Sequence, residues 1–441
     1  MRSHKGLEEL ISVAADRIKE MEESPDPAAA RVETLYWQLN KERLEVQLED
    51  WQRGKPSIDG YGCLTRLFRS MGFSQTYGTV SSQYVTPATY GQYKEICDRM
   101  GFPADKCCDK VVSQLAMREI DALPIPDVIL ADSHGCDNDH KYYSRSYGDL
   151  FGIPVFFVDV PLNEEDHPTL ASLEYVADQL GEFIEWAEKK IPGIKYDQDA
   201  LIEAQELDAI GESYVRDMYQ LVRHVPCPIS PLDALTGFIH LEASRYPNMR
   251  KAVEYFRVLR DEMGERAASG KGPYPEERLR LMWSGKSYPH QVLNPSRLLL
   301  ERRVALPQVL LGQIPHLIGL RGPGLCVVSE YGVRLTPLQE EADNISNSCW
   351  GGPGKRWVNG TLDIARDIGA HGIIYFNLVG CTPGRGMGTV VADRAEMELG
   401  IPTIEIEGRY LEDDFLSQER FEEILSTFID KCFDRAGKPR Q

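Results

Sequence analysis

The alternation of apolar and polar positions divides the chain into two textures. From Gly6 to about Trp51 the sequence is rich in Glu, Lys, Leu and Ala, which predicts two helices broken near Pro25 and Pro27. From about Ile58 onward, short apolar runs bounded by Gly and Pro alternate with helical segments, the pattern of parallel sheets covered by helices. Leu170, Leu173, Val176, Leu180, Phe183 and Ile184 recur at helical spacing and are expected in the core. Pro226, Pro228 and Pro231 mark a boundary, beyond which helices continue through Tyr255 and Phe256 to about Glu265. The expected organisation is a helical cap over 1–57, a first α/β domain over 58–228, and a second over 229–441 carrying a helical insertion.

Two widely separated segments repeat the same order of parts. In the first, the apolar run Pro126 to Leu130 leads into the polar turn Asp132-Ser133-His134-Gly135-Cys136, then a helical stretch, then Gly152-Ile153-Pro154 and the strand Val155 to Val158. In the second, Gly372 to Phe376 leads into Gly380-Cys381-Thr382-Pro383-Gly384, a helix to about Leu399, then Gly400-Ile401-Pro402 and the strand Thr403 to Ile406. Each unit sets one cysteine just past the carboxyl end of a strand, the edge at which open α/β sheets bind ligands. Two Rossmann-like or flavodoxin-like domains facing each other across a cleft would bring Cys136 and Cys381 together.

At 441 residues, with 42% hydrophobic and 27% charged content, the chain is long enough for more than one core. The net charge of −19, from 68 acidic against 49 basic side chains, argues against nucleic acid or an anionic membrane as the main partner. No apolar run reaches the roughly 20 residues that cross a bilayer. The charged stretch from Met1 to Leu10 lacks a signal peptide's apolar core, so a cytoplasmic location is expected.

The ten cysteines lie at 63, 97, 107, 108, 136, 227, 326, 349, 381 and 432, without the close CxxC pairs of zinc ribbons or bacterial ferredoxins. Most read as small buried hydrophobes, above all Cys326 in an apolar run, Cys432 in a terminal amphipathic helix and Cys227 between prolines. Cys136 and Cys381 differ, because flanking glycines let backbone amides approach sulfur. Cys107 and Cys108 open a helix whose dipole favours a thiolate, and one of the two is expected to be a bystander. These positions suit either a metal or cluster site or a nucleophilic cysteine with His134 or His140 as its base. Zinc is disfavoured because no fourth His or Cys falls at customary spacing. The glycine-rich stretch Gly380 to Gly388 lacks the Lys-Ser/Thr ending of a P-loop and the register of a dinucleotide fingerprint, so any ATP is bound by a partner.

Three blocks in order resemble the 2-hydroxyacyl-CoA dehydratase and benzoyl-CoA reductase family, from about Ile58 onward. They are Cys108 with Ala116 eight positions on; Cys136 five residues before Lys141-Tyr142-Tyr143, followed by Asp159-Val160-Pro161; and Gly380-Cys381-Thr382-Pro383, with Gly400-Ile401-Pro402 beyond. Cys108 fits the family register and Cys107 does not. The resemblance implies that Cys108, Cys136 and Cys381 hold a [4Fe-4S] cluster whose fourth position is open, in a large or alpha-type subunit paired with a homologous smaller one. It further implies a separate ATP-hydrolysing iron–sulfur activator that drives single electrons to an acyl-CoA thioester, giving a ketyl radical anion. That anion lowers the barrier to dehydration or to ring reduction. A non-catalytic iron–sulfur electron carrier on the same fold is the alternative. The chain departs from the family pattern in the Cys107-Cys108 doublet, the glycine-rich turn after Cys381 and the polar Asp132-Ser133-His134.

Overall fold

The computed structural model describes residues 5–23, 27–60, 62–75, 87–103, 106–120, 123–133, 147–162, 168–231, 243–273, 276–286, 293–308, 332–347, 354–409, 411–412 and 415–437. Among these the protein is a mixed α/β fold built on parallel strands. The first sheet contains β1 (Ser57–Gly60), β2 (Ser74–Gln75), β3 (Val128–Asp132) and β4 (Val155–Val158) in the order β2-β1-β3-β4, every pair parallel.

The second sheet uses β5 (Leu279–Arg280), β6 (Met282–Gly285), β7 (Val304–Ala305), β8 (Ile373–Leu378) and β9 (Thr403–Gly408). Here β5 pairs with β7, while β6, β8 and β9 run in that order, again all parallel. The amide of Leu281, between β5 and β6, donates to the Ala305 carbonyl, so β5 and β6 continue as one strand beside β7. Counted that way, both sheets place their first four strands in the order second, first, third, fourth. This is the doubly wound order in which the ligand edge lies at the reversal beside the first and third strands.

The period-two rule sorts the side chains of the central strands between cores. In β3, Val128 and Leu130 pack toward helix Leu170–Lys190, while Ile129 faces the opposite way. In β8, Ile373 and Tyr375 pack against helices Gly354–Asp367 and Met387–Leu399, while Ile374, Phe376 and Leu378 point to the other side. The opposite-facing residues of both strands belong to one continuous core, with Val111, Val112 and Leu115 of helix Asp109–Glu119 and Phe421, Leu425 and Ile429 of the last helix. Both central strands are buried along their whole length, and the edge strands β4 and β9 are partly exposed.

The two N-terminal helices form as expected, Lys5–Glu22 and Pro27–Gln52, and Leu7, Leu10, Leu39 and Leu44 join the same core. The second repeated unit is present, and of the first the strands and the segment Tyr147–Phe151 are described, its cysteine turn lying outside the described residues; each central strand extends further than its apolar run. Asp132, expected in a turn, is the buried last residue of β3, and β8 continues to Leu378. Ladder hydrogen bonding carries these strands past the end of the hydrophobic signal. Each unit closes on a left-handed glycine, Gly152 at φ +66° and Gly400 at φ +68°, before Ile-Pro starts the next strand. Leu170, expected in the core, is 39% exposed, because it begins its helix ahead of the turn that meets the sheet.

Helix Asp109–Glu119 is fixed near its C-terminal end by a buried ion pair. Arg118 Nη2 lies 2.6 Å from Asp59 Oδ2 on β1, and its guanidinium covers the Tyr147 ring at 5.3 Å. Burial pushes the Asp59 carboxyl up, against the pull of Arg118. Replacing Arg118 with Met is expected to lower unfolding stability by about 3–5 kcal/mol, since it strands Asp59 without its cation. Urea denaturation followed by circular dichroism measures this, and a loss below about 1 kcal/mol would contradict it.

Candidate functional site

The crossover from β2 to β3 passes through helix Asp109–Glu119, which must return the chain to the amino end of β3. Its first turn therefore lies toward the carboxyl edge of the first sheet. Cys108 is the N-cap of this helix, with φ −72° and ψ 156°, and its side chain makes no capping hydrogen bond. Cys381 caps the one-turn helix Thr382–Arg385 with φ −91° and ψ 96°, also without a side-chain capping bond. It follows β8, and its amide donates to the Leu378 carbonyl at 3.0 Å, leaving the residue 5% exposed.

Gly380 brings these two turns into contact. It has φ +82°, and a Cβ placed on it would lie 2.6 Å from the Cys107 carbonyl oxygen and 2.8 Å from the Cys108 nitrogen. A side chain is therefore excluded twice, by the left-handed backbone and by the neighbouring peptide. The peptide that carries Cys108 packs directly on the residue before Cys381, although the two lie on different sheets.

A buried polar cluster surrounds this contact. Asp109 is fully buried, and its Oδ1 accepts from the Tyr90 hydroxyl at 2.6 Å and from Arg409 Nη1 at 3.0 Å. Its Oδ2 accepts from the Leu411 amide at 3.1 Å. Arg409 Nε in turn lies 2.9 Å from Glu412, which also pairs with Lys94. Burial and then the Asp109 charge hold the Tyr90 phenol above its ordinary range, so it remains a proton donor. Burial is the largest influence on Arg409 and opposes its charge, but Asp109, Tyr90 and Glu412 together raise the guanidinium's pKa.

On the Cys381 side, the buried Tyr375 hydroxyl donates to the Gly384 carbonyl at 2.8 Å and so pins the turn. Burial raises its pKa, and the neighbouring Cys381 raises it further. Glu405 on β9 accepts from Asn377 at 2.8 Å and from the Thr389 hydroxyl at 3.1 Å, at the start of helix Met387–Leu399.

Of the three cysteines expected to act together, Cys136 lies outside the described residues, as do His134 and His140, on which the nucleophile reading depended. Cys326 and Cys349 are outside them too. Cys108 and Cys381 are brought together at their turns, while Cys107 is 2% exposed within the apolar core. Among the described residues no group of three or more His, Cys, Asp or Glu converges as a metal cage would. Burial pushes the thiols of Cys97, Cys227 and Cys432 up to about 12, which suits neutral packing residues. The sequence reading missed Asp109, Tyr90 and Arg409. An acidic first residue is ordinary at a helix start, and nothing local to Arg409 marks its partner.

Fold and site together define a doubly wound parallel α/β protein that carries Cys381 on a glycine-flanked turn past a central strand, packed on the helix start that bears Cys108. The chain belongs to the family described as 2-hydroxyglutaryl-CoA dehydratase, D-component, whose sequence model matches residues 65–431. It is 25% identical over 206 residues to the (R)-phenyllactyl-CoA dehydratase alpha subunit of Clostridium sporogenes, covering 45% of this chain and 50% of that protein. It is 23% identical over 298 residues to the alpha subunit of (R)-2-hydroxyglutaryl-CoA dehydratase from Acidaminococcus fermentans, covering 65% and 56%. One of the subunits of Thauera aromatica benzoyl-CoA reductase is 27% identical over 172 residues, covering 37% and 39%. The chain thus matches these relatives over about half of their length or less.

Gly380→Ala is expected to force the two turns apart, costing at least about 1–2 kcal/mol for the left-handed backbone alone. It should also speed alkylation of the buried Cys381. Gly386→Ala, which has φ −84° and open space around it, should leave both unchanged. Denaturation and timed iodoacetamide labelling read by mass spectrometry check the pair, and equal behaviour of the two variants would refute the contact.

Proposed function

We propose that this chain is the iron–sulfur subunit of a radical acyl-CoA enzyme, a 2-hydroxyacyl-CoA dehydratase or benzoyl-CoA reductase, in which Cys108, Cys136 and Cys381 hold a [4Fe-4S] cluster. The observation that carries this reading is the packing of Gly380 on the Cys107–Cys108 peptide, which makes neighbours of two cysteine turns remote in sequence. Membership of the dehydratase family supports it.

The donor set suits the group. Thiolate sulfur is the customary ligand of such clusters, and both described cysteines leave their side chains unused in capping their own helices. Cys136 would enter from the segment that follows β3, at the same edge of the first sheet. When bound, the cluster supplies single electrons at low potential to a thioester carbonyl. The chain's own contribution is positioning and exclusion of water. Gly380 sets the approach of the two turns, Tyr375 pins the Gly384 carbonyl after Cys381, and burial of Cys381 keeps solvent from its sulfur. Low solvent access and amide hydrogen bonds are the levers by which a protein sets a cluster's potential.

The finer architecture belongs to the same proposal. The two sheets form α/β domains over 58–228 and 229–441 that face each other across the substrate cleft, under a helical cap over 1–57, in a cytoplasmic protein. The partners are a smaller homologous subunit and an ATP-hydrolysing activator. That the relatives are named alpha subunits supports a subunit role.

In anaerobically prepared protein, Cys108→Ala, Cys136→Ala and Cys381→Ala should each lose most bound iron, and Cys432→Ala should keep it. Iron and sulfide analysis with absorption spectra checks this, and equal retention in all four would end the ligand assignment. With partner subunit, reduced activator and ATP, the protein should turn over a 2-hydroxyacyl-CoA or benzoyl-CoA. Electron transfer without turnover of either class would favour a carrier.

A further inference from the structure

Asp109 directly follows Cys108, and both of its carboxylate oxygens are engaged. Its two oxygens accept from three donors on two separate pieces of chain: Tyr90 on helix Pro87–Met100, and Arg409 with the Leu411 amide on the segment that follows β9. The stretch bearing Arg409 leaves β9 directly, and the Val379 amide donates to the Gly408 carbonyl at 3.0 Å, so the exits of β8 and β9 stay paired up to the Cys381 turn. Beyond Arg409, Glu412 pairs with Lys94, one turn from Tyr90 on the same helix, which closes the cluster on itself.

Asp109, Tyr90 and Arg409 are 0%, 1% and 7% exposed, so solvent does not weaken these bonds as it would on the surface. A buried ion pair of this kind often stabilises a fold no better than well-packed apolar side chains would. What it supplies that apolar packing lacks is directionality, because each hydrogen bond restricts where its donor and acceptor can sit.

We propose that Asp109, Arg409 and Tyr90 form a positioning clasp that fixes the Cys108 sulfur against the Cys381 turn and sets the polarity around it. The inference rests on the iron–sulfur reading above. Displacement of the Asp109 carboxylate reaches Cys108 through a single peptide unit, so a change in the clasp alters ligand geometry and local charge without removing a ligand. The three are positioning residues and contribute no ligand themselves.

The test uses the full chain, prepared anaerobically with its iron and sulfide. Tyr90→Phe, Arg409→Lys and Asp109→Asn are compared with wild type, and Arg435→Gln, which breaks the exposed pair with Glu396, serves as control. Iron content, the electron paramagnetic resonance spectrum of the reduced protein and the midpoint potential are read for each. The clasp variants are expected to keep their iron while their spectra depart from wild type. Asp109→Asn, which puts an amide donor where an oxygen now accepts, should move the spectrum and the potential most, and Arg409→Lys, which can still donate to Asp109, should move them less. The control should match wild type.

Clasp variants with full iron, a wild-type spectrum and a wild-type potential would overturn the proposal, as would a control that shifts as far as they do. Should Asp109→Asn fail to fold, Tyr90→Phe decides alone, since it removes one hydroxyl. Wild-type protein without iron would instead refute the iron–sulfur reading, and the clasp's role with it.

Discussion

One backbone contact governs how the candidate site is assembled. Gly380, at the exit of the central strand of the second sheet, lies so close to the Cys107–Cys108 peptide that no β-carbon fits between them. Helix Asp109–Glu119 is held to this arrangement at both ends. At its start Asp109 takes donors from the segment after β9, and near its end Arg118 pairs with Asp59 of β1. The helix is therefore a strut between the sheets, and its N-cap cysteine has little freedom relative to the Cys381 turn. Because interiors are close-packed, a strut fixed at both ends transmits displacement and does not absorb it.

The repeated strand order explains why such a contact arises. In each sheet the third strand lies beside the first, at the reversal where loops leave in opposite directions and an edge crevice opens. β3 and β8 both hold that position, and the candidate cysteines 136 and 381 follow them in sequence. One continuous core joins one face of each of these strands, so apolar packing as well as the polar contacts holds the two sheets together.

The cysteines differ in position more than in burial. Cys97, Cys227 and Cys432 sit where burial favours the neutral thiol, while Cys107 and Cys381 belong to the same apolar core and Cys108 packs against it. Cys108 and Cys381 stand at helix starts, where neither side chain makes a capping hydrogen bond. The proposed cluster would make two sheets share one set of ligands.

Much of this was legible in the chain itself. Strand and Gly-Ile-Pro recur twice, and local patterning dictates the parallel α/β class, the place of Cys381 after a strand and that of Cys108 before a helix. Gly152 and Gly400 end their helices where a left-handed residue was required, a demand that a single position can express. What the sequence did not express was the pairing of distant groups. That Gly380 meets the Cys107–Cys108 peptide, and that Asp109 meets Arg409 three hundred positions away, depends on how two sheets pack. Neither partner carries a local mark of the other, since a glycine in a turn and an acid at a helix start each have ordinary local uses. Periodicity encodes which face of an element is buried, and only tertiary packing decides what that face is buried against.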